Sequence, residues 1–168
     1  MANVCAWCHN PLLQTKKNDD ESVSHGMCKD CFSWIKRNDT GRALGEFIDD
    51  LPVPVIMVNS DCTVDGANAC AQALTGKSYE SIHSKRAGEV MECRNARLPG
   101  GCGNTIHCRA CTIRNTVMGS WQDGEAREMV PAYLDTITCG GEKRIRYLIS
   151  TVRLGDKVLL RIDDAGDA

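Results

Sequence analysis

The spacing of the cysteines constrains this chain more than any other feature of its sequence. Cys5, Cys8, Cys28 and Cys31 form two C-x-x-C pairs, CAWC and CKDC, 19 residues apart. Cys93, Cys102, Cys108 and Cys111 form a second set within ECRNARLPGGCGNTIHCRAC. Two residues between cysteines let both thiolates reach one ion from a single tight turn, and a distant second pair completes a tetrahedron. A total of 11 cysteines is odd, which argues against a fully paired disulfide framework. The N-terminus, MANVCAWCHN, has neither the charged start nor the apolar run of a secretory signal. The expected compartment is therefore a reducing cytoplasm, where clustered cysteines bind metal or do redox chemistry.

Charge and hydropathy exclude other classes. Twenty basic and 22 acidic residues are well mixed, with no basic stripe, so a nucleic-acid partner is not expected. No run of 18 apolar residues is present to span a bilayer. There is no serine–histidine–aspartate order, phosphate-binding glycine loop, H-E-x-x-H or paired-carboxylate constellation, so the chain is not expected to be an enzyme.

Residues 1–37 have little apolar periodicity, and QTKKNDDESVS between the cysteine pairs cannot fold by burial alone. A segment this short needs a staple, and an ion supplies one. Residues 38–50 read as a linker and lead-in helix, with Leu44, Phe47, Ile48 and Leu51 at helical spacing. That apolar face is expected to serve either as a homodimer or partner surface or as packing against the chain's own domain. Pro52 and Pro54 end the helix.

Residues 51–168 read as one domain. Val55-Ile56-Met57-Val58 is a strand closed by Asn59-Ser60-Asp61, and a short strand near Thr63-Val64 leads into a helix over 67–74 stopped by Gly76. Ser78 caps a short helix through Ile82. After the cysteine-rich loop, a helix over 112–118 precedes three strands at 128–138, 144–154 and 157–162, joined by hairpins at Cys139-Gly140-Gly141 and Gly155-Asp156. The order implies an α+β fold: a five-stranded antiparallel sheet with helices on one face, preceded by a small zinc-ribbon-like module.

LPVPVIMVNSDCTVDGANACAQALTGKS and KVLLRIDD, in that order and at that separation, resemble the PAS sensory fold over about residues 44–164. GGCGNTIHCRACTIRNTV resembles a cysteine-bearing PAS subgroup of bacterial sensory proteins. CAWCHN followed by SHGMCKDCF is similar to a short bacterial module found beside sensory and response domains, which implies zinc binding. Asp163-Asp164 is followed by only four residues, so no output domain is expected on this chain. The resemblance implies signal sensing through a ligand, redox state or partner contact, with the signal passed on by association. It also implies a small-ligand cavity between sheet and helices, expected to be lined by Val55, Met57, Leu74 and Met91.

Zinc is expected on Cys5, Cys8, Cys28 and Cys31. CAWCH also fits c-type haem attachment, which requires export and leaves Cys28 and Cys31 without a role. His9 and His25 are read as supporting or solvent-exposed residues. For Cys93, Cys102, Cys108 and Cys111 three chemistries stand open: a zinc clip, an iron–sulfur cluster, or a reversible Cys108–Cys111 disulfide. His107 can substitute for one cysteine, and Gly100, Gly101 and Gly103 allow a tight turn around Cys102. Cys62, Cys70 and Cys139 are read as small buried hydrophobes. The runner-up function is a thiol–disulfide or iron–sulfur electron carrier; a third is a structural zinc scaffold.

Overall fold

The structure is a computed structural model that describes residues 5, 7, 28–31, 33 and 41–168. Cys8, His9, His25 and the polar stretch between the cysteine pairs lie outside the described residues. The elements run α1 (Gly41–Asp49), β1 (Val55–Val58), β2 (Val64–Ala67), α2 (Ala69–Thr75), α3 (Tyr79–Ile82) and α4 (Ala87–Val90). Two 3₁₀ turns, Arg94–Arg97 and Ile106–Ala110, follow, then α5 (Thr112–Asp123), β3 (Arg127–Thr138), β4 (Gly141–Leu154) and β5 (Lys157–Asp167). All strand pairs are antiparallel and the sheet order is β2-β1-β5-β4-β3.

β1 is buried at all four positions because both faces of the sheet are covered. Ile56 and Val58 join Leu160, Ile162, Ala132, Leu134 and Ile149 in a core closed by α2 to α5. Val55 and Met57 point the other way and pack with Leu159, Val152, Ile48, Leu51, Cys5, Trp7 and Cys31. The lead-in helix α1 therefore turns its apolar face onto its own sheet: Ile48 and Leu51 are buried, with Leu44 and Phe47 half-buried against them. Burying two such side chains contributes about 1.5–3 kcal/mol each. The core of that face is thus occupied within the chain, and Leu44 and Phe47 on its flank are half-buried.

Several boundaries differ from expectation for local reasons. Ala67 completes β2 rather than opening the helix, because Asn68 caps α2 by accepting from the Ala71 amide at 2.9 Å. α5 runs on to Asp123, where Gly124 takes the left-handed conformation. β5 extends to Asp167 because β4 continues opposite it, Ile145 pairing with Asp167.

Candidate metal centres

Sγ atoms of Cys5, Cys28 and Cys31 lie within 4.8 Å of one another. The Cys28 amide donates to Cys5 Sγ (3.1 Å), and the Trp7 and Cys31 amides donate to Cys5 and Cys28 Sγ (both 3.4 Å). Such N–H···S bonds orient thiolates and offset their charge. Cys5 and Cys31 are buried against the sheet's outer face. Three thiolates this close, with C-x-x-C spacing placing Cys8 beside them in sequence, fit one soft divalent ion, for which Zn–S bonds of about 2.3 Å put the sulfurs roughly 3.8 Å apart. The Trp7 ring covers Arg161, whose Cζ is 5.4 Å from the ring centroid. Arg161 is paired with Asp163 in the same buried layer.

The second cysteine set surrounds a cavity of about 230 Å³ between the inner sheet face and the loop. Cys93, Cys102, Cys108 and Cys111 all line it, as do Met91, His107 and Arg114. The loop has little apolar material to hold it: Leu98 is 40% exposed and Ile106 79%. Its order comes from local polar contacts. Cys93 bridges to Thr136 of β3, and its amide donates to the Gly88 carbonyl at 2.7 Å. Gly100, Gly101 and Gly103 all adopt positive φ, the conformation a tight turn around Cys102 needs.

Among the described residues, Cys108 Sγ is the sulfur of this set that receives a backbone donor. Gly103 N–H reaches Cys108 Sγ at 3.1 Å, and the Thr105 hydroxyl lies 3.2 Å from it. Cys111 stands at the N-cap position of α5 without a side-chain cap hydrogen bond. Burial raises the Cys108 thiol, but the Thr105 and Gly103 hydrogen bonds and the Arg114 charge together bring it below its ordinary value. Burial pushes Cys102 and Cys111 up.

Gly88 is the contact that admits Cys102. A Cβ there would stand 2.7 Å from Cys102 Sγ and 3.2 Å from its Cβ. Gly88→Ala is expected to cost about 1–3 kcal/mol through overpacking and to speed alkylation of Cys102. An unchanged labelling rate would show that the loop accommodates the methyl group.

Of the expected cavity residues, only Met91 lines the cavity. Val55 and Met57 belong to the opposite sheet face, since alternate residues of a strand point to opposite sides. Leu74 is 42% exposed on α2. The lone cysteines diverge as well. Cys139 is exposed in the β3–β4 hairpin, and Cys70 is half-buried, its Sγ 3.8 Å from the Leu51 carbonyl. Cys62 is buried, but it lines the cysteine cavity from the β1–β2 turn with a φ of +65°. No sequence pattern joins Cys62 to the loop about 30 residues on.

No protein-family model matches the sequence, and no curated relative does. Among solved structures, the chain is similar to a domain of the sensory box sensor histidine kinase/response regulator from Geobacter sulfurreducens, at 11% identity and TM-score 0.47, covering 73% of this chain and 92% of that one. It is similar also to the photoactive yellow protein domain of the sensor histidine kinase Ppr from Rhodospirillum centenum (12%, TM-score 0.45, 71% and 92% covered). A third is the PAS domain of nitrogen regulation protein NR(II) from Vibrio parahaemolyticus (9%, TM-score 0.44, 72% and 96% covered). The chain itself forms an α+β domain, a five-stranded antiparallel sheet in the order β2-β1-β5-β4-β3 with α2 to α5 on one face.

Proposed function

We propose that this chain is a cytoplasmic, non-enzymatic sensory protein of the PAS type that reads metal or redox state through its thiol-lined cavity. The observation that carries this is the convergence of four loop cysteines on one cavity against the inner sheet face. A metal centre there would close the loop at three points and tie it to α5, whose Ile113 and Val117 are part of the core. Losing it would release α5, a direct route from metal state to an altered surface. The N-terminal triad serves as a zinc clip that holds its segment on the outer sheet face. The signal then passes by association, through a homodimer or protein partner on the half-buried Leu44–Phe47 flank. No helix among the described residues is long and apolar enough to cross a membrane.

The test is Cys108→Ser. It should lower metal content by one site and speed amide exchange from Val90 to Val117, about ten-fold or more, while β3 to β5 stay protected. Unchanged metal stoichiometry and exchange would sink the reading. A second reading is a thiol–disulfide protein using Cys108 and Cys111, favoured by the Gly103 and Thr105 donors on Cys108 Sγ. Trapping of a Cys108–Cys111 disulfide in metal-free, air-exposed protein, reversed by dithiothreitol, would support it.

A further inference from the structure

The two cysteine sets differ in spacing, and that difference bears on which metal chemistry each accepts. Among the described residues, the group of three or more ligand atoms within 4.8 Å of one another is Cys5, Cys28 and Cys31. Cys93, Cys102, Cys108 and Cys111 share one cavity, but no three of their Sγ atoms lie within 4.8 Å of one another. A single tetrahedral zinc draws thiolates to roughly 3.8 Å from one another and leaves no space among them. A polynuclear cluster distributes its thiolates over several irons, which spreads the sulfurs and fills the volume between them with iron and sulfide. The cavity here, about 230 Å³, is many times what one ion needs.

The surroundings suit such a cluster. The Gly103 amide donates to Cys108 Sγ at 3.1 Å, the kind of N–H···S contact that stabilises a cluster's negative charge. Arg114 lines the same cavity and adds a positive charge. Met91 and Val117, both buried, supply an apolar wall.

We propose that this cavity holds an iron–sulfur cluster on Cys93, Cys102, Cys108 and Cys111, while the N-terminal triad takes zinc. Cys62 lines the cavity beside the cluster from the sheet side and is outside its ligand set. The proposal rests on the reading above that the cavity carries a metal centre.

The experiment measures zinc, iron and acid-labile sulfide in the full chain, purified anaerobically and then reconstituted with ferrous iron and sulfide under argon. The expected result is about one zinc per chain, with iron and sulfide in equal amounts and a broad visible absorption band. Cys108→Ser should remove iron and sulfide and leave the zinc; Cys62→Ser should retain all three. Circular dichroism on both variants separates ligand loss from misfolding, and Cys93→Ser provides a second ligand variant should Cys108→Ser not fold. About two zinc per chain with no iron after reconstitution would overturn the cluster but leave the metal-centre reading intact. Neither metal at the second site would overturn both. Loss of iron in Cys62→Ser would overturn the ligand assignment.

Discussion

Asn68→Ala is expected to destabilise the domain by about 4 kcal/mol, the loss of a cap plus several buried hydrogen bonds. Asn68 is fully buried where the end of α1, the proline loop, β1 and α2 meet. Its Nδ2 donates to the carbonyls of Ile48 and Val53, both at 2.8 Å. Its Oδ1 accepts from the amides of Val55 (3.0 Å) and Ala71 (2.9 Å). Alanine keeps none of these, and each buried group left unpaired costs about 1–3 kcal/mol before relaxation. Asn68→Asp separates this role from simple capping. Aspartate is as good a cap as asparagine, but it cannot donate, and its carboxylate would face the Ile48 and Val53 carbonyls. Urea unfolding should therefore find both variants weakened. Wild-type stability in Asn68→Asp would reduce the residue to a cap.

Asp163→Ala should cost a comparable amount, about 3–5 kcal/mol, because it strands a buried cation. Arg161 and Asp163 side chains are 5% and 7% exposed, and Asp163 Oδ2 also accepts from the Ser150 hydroxyl at 2.6 Å. Arg161 Nε and Nη2 both face Asp163 Oδ1, and Nη1 has no hydrogen-bond partner among the described residues. The double variant Arg161→Met, Asp163→Ala should recover most of the loss, since it removes the charge along with its partner. Because Trp7 lies over Arg161, amide exchange at Cys5 and Trp7 should accelerate in the single variant. No recovery in the double variant would mean that the pair's own attraction, and not the stranded charge, sets the cost.

The readable parts of this protein are those where a local pattern has one solution. β3, β4 and β5 alternate or run apolar between Gly-containing turns, and hairpin geometry then forces them to be neighbours. The C-x-x-C pairs announce a ligand set because thiolate spacing is itself the chemistry. Pattern fails where partners come from distant segments. Val-Ile-Met-Val says that a strand is buried but not which residues face the cavity; the pairing Ile56↔Leu160 decides that, and it sends Val55 and Met57 to the other side. The apolar face of α1 is equally visible as an interface or as core until the sheet's outer face is there to receive it.

What the sequence determined by itself was therefore the fold class, the succession of strands along the chain and the spacing of the cysteines, because each is read from local pattern. Tertiary structure alone decided which face each side chain meets, brought Cys62 to the loop cysteines, buried Asn68 at a four-way junction and placed Arg161 between Asp163 and Trp7. Those outcomes depend on long-range register, and a shift of one residue along a strand would reverse every one that lies on the sheet.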